Sequence, residues 1–125
     1  MARVRIAWDG GEVIANLRDT PTATKLLAAL PCAASANTWG EEVYFEVPIQ
    51  CPLEADARQV VDPGTLCYWV DGKSLALPFG RTPISKGSES RLVSPCNVLG
   101  KLESDLAPLR AVRDGVRIRV ELVER

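Results

Sequence analysis

Short runs in which apolar and polar residues alternate, each cut off by glycine, proline or an Asp-Gly pair, constrain this chain more than any other feature. Val4, Ile6 and Trp8 alternate with Arg3, Arg5 and Ala7. Val43, Phe45 and Val47 alternate with Glu42, Tyr44 and Glu46, and Val116, Ile118, Val120 and Leu122 with Arg117, Arg119 and Glu121. A period of two puts each apolar set on one face of an extended strand, so each run is a strand with one face buried. Asp9-Gly10-Gly11 makes a tight turn that returns the first strand through 12–17 as a hairpin. Strands over 66–70 and 75–79 flank Asp71-Gly72-Lys73 as a second hairpin, and 96–102 is a further strand.

Only one segment has a clear helical spacing. Thr20 is placed to cap exposed N–H groups, Pro21 occupies the first turn, Ala23, Leu26, Leu27 and Leu30 form the apolar stripe, and Pro31 ends it. A shorter helical turn is expected near 105–112. Residues 52–64 read as a loop ending in the Asp62-Pro63-Gly64 turn, and 80–95, rich in Gly, Ser, Pro and charge, as a long exposed excursion. Seven or so strands and one helix in 125 residues make one mainly β domain over 1–125. Alternation alone fits a sandwich as well as a barrel. An open sheet of this size exposes unpaired edges, which points to a closed antiparallel barrel of about eight strands with one or two short capping helices.

Charge and composition then remove several functions. Lys and Arg number 15 against 16 Asp and Glu, a net charge of −1, without the basic cluster that phosphate neutralisation needs, so no nucleic-acid partner is expected. No stretch approaches the roughly 20 apolar residues that cross a bilayer, and Ala2-Arg3-Val4-Arg5 is unlike a secretory leader. A cytoplasmic protein without a membrane partner is expected. The chain has no histidine, which removes the usual general base, metal ligand and pH switch together. Cys32, Cys51, Cys67 and Cys96 lie 19, 16 and 29 positions apart with no Cys-x-x-Cys pair, which fits reduced, mostly buried thiols and neither a metal nor another cofactor. Gly10-Gly11 joins strand to strand, so it is no phosphate loop.

Four motifs stand in order along the chain: Asn37-Thr38-Trp39-Gly40-Glu41-Glu42-Val43-Tyr44-Phe45; Tyr68-Trp69 with Gly72-Lys73-Ser74-Leu75; Phe79-Gly80-Arg81-Thr82-Pro83-Ile84-Ser85; and Asn97-Val98-Leu99-Gly100-Lys101. With them the chain resembles, over nearly its whole length, a family of small prokaryotic proteins with a cyclophilin-like fold, atypical relatives of the peptidyl-prolyl isomerases without an established activity. The resemblance implies an eight-stranded barrel closed by helices at its ends. Likeness to true cyclophilins is fainter. Ser74-Leu75-Ala76-Leu77 is similar to the strand that lines their proline pocket, with its glutamine and both aromatics replaced, and the pocket histidine is absent. Phe79 offers an aromatic wall after a register shift, and Arg58 and Arg81, both expected on loops, are the candidate isomerase arginines.

Among other chemistry-bearing residues, Glu41 and Glu42 are adjacent on a strand and point to opposite faces, which excludes a two-carboxylate dyad. Trp39 beside Gly40 suits a binding wall or a core position. Tyr68 and Trp69 face opposite sides of their strand, so one belongs to the core and the other is free to join Trp39. Lys73 is a solvated turn residue. Trp39, Glu41, Tyr44, Tyr68, Trp69, Phe79, Arg81 and Thr82 are thus the expected ligand contacts. Three functions are compatible with this set: a noncatalytic module binding a proline-containing peptide or a small molecule, an atypical prolyl isomerase using Arg58 or Arg81 with Phe79, and an enzyme acting on a small metabolite. The last would be marked by a deep pocket holding Glu41 or Glu42 with a raised pKa.

Overall fold

The alternating runs become strands with one buried face. In the computed structural model, which describes residues 2–125, these are β1 (Arg3–Trp8), β2 (Gly11–Leu17), β3 (Cys32–Ser35), β4 (Asn37–Thr38), β5 (Glu42–Glu46), β6 (Arg58–Val61), β7 (Thr65–Trp69), β8 (Ser74–Pro78), β9 (Ser90–Leu102) and β10 (Arg117–Glu124). One α-helix, α1 (Pro21–Ala28), and a 3-10 turn (Ala107–Ala111) complete the described residues. Thr20 caps α1, its hydroxyl accepting from the Ala23 N–H at 3.1 Å, and Pro21 follows as expected. The helix stops at Ala28, short of Pro31. Among the described residues no helix is long and apolar enough to cross a membrane.

Hydrogen bonds connect the strands in the order β3-β10-β1-β2-β9-β7-β8-β5-β4, and β6 pairs with β9 off this path. Every pairing is antiparallel. The ladder is not closed by hydrogen bonds, so the expected mainly β antiparallel sheet is present without the closure of a barrel: its two ends, β3 and β4, are pieces of one segment on either side of Ala36, paired with β10 and β5 respectively. The sheet nevertheless curls around one core. Val4 and Ile6 of β1, Val13, Ala15 and Leu17 of β2, Val43 and Phe45 of β5, Leu75 and Leu77 of β8, and Ile118 and Val120 of β10 all pack together, with Ala23 and Leu26 of α1 added.

Two loops of the sequence reading become structure. Within 52–64, Arg58–Val61 is a strand, so Arg58 is not a loop residue; its short Arg-Gln-Val-Val run lacks the large alternating side chains that mark a strand. Within 80–95 the exposed excursion is replaced by a stitched turn and the first half of β9, with Thr82, Ser85, Ser90 and Leu92 buried. The hydroxyls there serve the chain instead of water. Thr82 donates to the Arg91 carbonyl, Ser90 to the Gly80 carbonyl at 2.6 Å, and Ser85 Oγ accepts from the Thr82 N–H at 2.9 Å.

Asn97 of β9 is fully buried and joins three segments. Its amide donates to Thr22 Oγ1 and the Pro52 carbonyl, each at 3.0 Å, and its oxygen accepts from the Glu54 N–H at 2.8 Å. Truncating it strands several buried polar groups at once. Asn97→Ala should therefore lower stability by about 2–4 kcal/mol, read as an earlier urea midpoint at unchanged slope. A midpoint within error of wild type would contradict the role given to Asn97.

Candidate functional site

Alternation along β5 sends Val43 and Phe45 into the core and Glu42 and Tyr44 to the opposite face. On an open sheet that face would be solvated. Here β6 and the first half of β9 lie against it, and Val61, Cys67, Ala76, Leu92 and Cys96 form a second apolar cluster bordered by Tyr44, Trp69 and Val98. The neighbours across β5, β8 and β7 are Tyr44, Ala76 and Cys67, one large side chain beside two small ones. Small residues in the floor and large ones at the rim leave a cavity of about 160 Å³, lined by Trp39, Glu42, Tyr44, Trp69, Ala76, Leu92, Val93 and Cys96.

Each wall is held by local structure. Tyr44 and Trp69 meet edge to face, ring centres 6.0 Å apart and planes at 85°, an arrangement that favours one fixed geometry. The Trp69 indole lies across Gly72, where an added Cβ would come within 2.2 Å of the ring. Trp39 sits in the turn between β4 and β5, its N–H donating to the Glu42 carbonyl at 3.0 Å. Gly40 in that turn has φ +60°, and a Cβ there would stand 2.9 Å from the Arg81 carbonyl, so glycine is required on both counts. Val93 is exposed at the rim.

The adjacent carboxylates have different environments. Glu41 accepts from the Arg81 N–H at 3.1 Å and pairs with the Arg110 guanidinium, which together hold it below the usual carboxylate range. Glu42 is 6% exposed, and its Oε1 is the one buried side-chain polar atom among the described residues without a hydrogen-bond partner. Burial alone pushes its carboxyl up to about 7. The Cys96 thiol beside it is pushed by burial, then by the Glu42 charge, up to about 12, and stays neutral.

Of the residues singled out by sequence, the pocket gathers Trp39, Tyr44 and Trp69. Tyr68 lies in the main core, its hydroxyl donating to the Ile49 carbonyl at 2.9 Å. Glu41, Phe79, Arg81 and Thr82 form the neighbouring turn: the Phe79 N–H donates to the Glu41 carbonyl at 2.8 Å, and the Arg81 guanidinium donates to the Ser85 carbonyl at 3.2 Å. Phe79 is covered by Arg110, 5.5 Å from the ring centre, an arginine that sequence reasoning did not consider. Arg58 lines a separate groove with Arg18, Asp62 and Lys101. Ala76, Leu92, Val93 and Cys96 also escaped the sequence reading, because only the register and the folding over of β9 bring them to Trp39.

The chain belongs to the family described as cyclophilin-like, whose sequence profile matches residues 2–121. It is similar to the solution structure of the hypothetical protein AF2241 from Archaeoglobus fulgidus, with 33% identity, 96% of this chain and 93% of that chain covered, and a TM-score of 0.80. No curated protein matches.

The shifted carboxyl carries a stability signature. Glu42 ionises near 4.5 when unfolded and near 7 when folded, so between those values the folded state holds the extra proton. Its contribution is fully present below pH 4.5 and is lost as pH rises through 7, a penalty of about 3 kcal/mol once complete. Urea unfolding at pH 5 and pH 8 should show wild type losing roughly 2–3 kcal/mol more than Glu42→Gln over that interval. Parallel profiles for the two proteins would mean that Glu42 titrates as an ordinary exposed carboxyl.

Proposed function

We propose that the protein is a noncatalytic binding module that takes a small molecule, or one side chain of a peptide, into the pocket between Trp39, Tyr44 and Trp69. The observation that carries this is the pocket itself: three aromatic walls around a cavity of about 160 Å³. An engineered apolar cavity of about 150 Å³ holds benzene, so a six-membered ring or a branched alkyl head fits this volume and a larger ligand extends beyond the mouth. Aromatic walls with one polar group at the base is the usual composition of a small-ligand site.

The isomerase reading calls for Arg58 or Arg81 free to face an aromatic pocket at Phe79. The arginine over Phe79 is Arg110, whose charge is matched by Glu41. Arg81 is engaged within its own turn, and Arg58 lines the other groove. A second reading has one specific observation in its favour. The raised pKa of Glu42 suits a general base working near neutral pH on a small metabolite. It ranks lower because the lining holds no lysine or arginine and its one thiol is kept neutral, leaving Glu42 without a nucleophile or a cationic partner.

The test is NMR on labelled protein with ring-sized probes, neutral and charged, and with an Ala-Ala-Pro-Phe amide peptide. At least one probe should move the indole N–H signals of Trp39 and Trp69, and Val93→Trp, which covers the mouth, should abolish that response. Cis–trans exchange in the peptide should remain at its uncatalysed rate. Silence of both indoles towards every probe would overturn the binding reading, and accelerated exchange would replace it with catalysis.

A further inference from the structure

The base of the pocket is chemically unbalanced. Glu42 presents a buried carboxyl oxygen with no donor, and no arginine or lysine pairs with it among the described residues. Buried polar groups are nearly always satisfied, so an orphan in a cavity marks a missing partner. The walls above it are Trp39, Tyr44 and Trp69, aromatic rings whose faces attract a cation through their quadrupoles. Leu92, Ala76 and Cys96 supply an apolar surround that suits alkyl carbon.

Resting on the binding reading above, we infer that the pocket selects a protonated amine, a small cyclic or branched alkylammonium whose N–H donates to the Glu42 carboxylate while its carbon skeleton packs among Trp39, Tyr44 and Trp69. Charge decides the class. A neutral donor hydrogen-bonds the carboxylate but leaves its charge buried and uncompensated, whereas an ammonium donates, neutralises that charge and gains attraction from the aromatic rings. A carboxylate or phosphate ligand would set like charges together. The other titratable groups facing Glu42 are Tyr44 on its own strand, Cys67 of β7 and Cys96 of β9, and burial holds both thiols neutral, so neither thiol changes charge between pH 5 and pH 8 as Glu42 does.

Isothermal titration at pH 8 with piperidinium, tetrahydropyran and N,N-dimethylpiperidinium separates charge, donor and size. Piperidinium should bind at least ten-fold more tightly than the equal-sized neutral ether, and the dimethylated cation, which has no N–H, should fall between them. Glu42→Gln should bring piperidinium and tetrahydropyran within about threefold, and lowering the pH to 5 should weaken piperidinium in wild type only. Glu46→Gln, an exposed carboxylate on the same strand, should change nothing. Nα-acetyl-lysine methylamide carries a primary ammonium on a chain: tighter binding than piperidinium identifies a peptide-borne ammonium, weaker binding a free amine. Equal affinity for the ether and piperidinium, or discrimination that survives Glu42→Gln, overturns the amine assignment and leaves the binding module standing. No heat and no indole shift with any probe overturns both.

Discussion

One strand has to satisfy three partners, and the architecture follows from how it does so. The 13 residues of β9 pair with β6 over their first half, then with β7, and through Gly100 to Leu102 with β2. Without β9 the halves β3-β10-β1-β2 and β7-β8-β5-β4 would be separate sheets, each with a raw edge. β9 passes β2 so closely that a Cβ on Gly100 would lie 1.9 Å from the Asn16 carbonyl oxygen. A few residues earlier, Asn97 on the same strand ties in α1 and the segment through Pro52 and Glu54. Joining the sheet and anchoring what covers it are therefore both tasks of one strand.

The same strand creates the pocket. Because the first half of β9 turns outward to pair with β6, the outer face of β5, β8 and β7 is covered where a simple curled sheet would be wet. Covering that face buries Glu42 together with Cys67 and Cys96. Its neighbour Glu41, one residue away and on the other side of the backbone, stays at the surface in an ion pair with Arg110. Two identical side chains thus titrate in opposite directions from their usual value, one held down by a guanidinium and a backbone N–H, the other pushed up by loss of water. The exposed pair fastens a turn against the 3-10 segment, and such a contact is worth little by itself. The buried carboxyl is costly to the fold, which is the pattern expected where a ligand supplies the missing interaction.

Strand identity was legible wherever large side chains alternated, as in β1, β5 and β10, and the α1 start was legible because Thr20-Pro21 acts through bonds within a few residues. Missed were β3, whose Cys-Ala-Ala-Ser lacks large apolar groups, the two-residue β4, β6, and the Ser90 to Pro95 part of β9. These are strands because their partners need them, since their own pattern carries no strong preference. In the site, the opposition of Glu41 to Glu42 and of Tyr68 to Trp69 followed from period two, whereas the side chosen for burial did not.

Local chemistry determined what neighbouring residues decide among themselves: the hairpin turns, the cap and first turn of α1, the alternation of faces, and the conclusion that the two glutamates form no dyad. Only the tertiary structure decided which faces are covered and which side chains meet. Trp39, Glu42, Trp69, Leu92 and Cys96 are far apart in sequence and converge through strand register and the outward turn of β9. The raised pKa of Glu42 belongs to that second class, because desolvation depends on every element packed over the carboxyl and leaves no trace in the residues beside it.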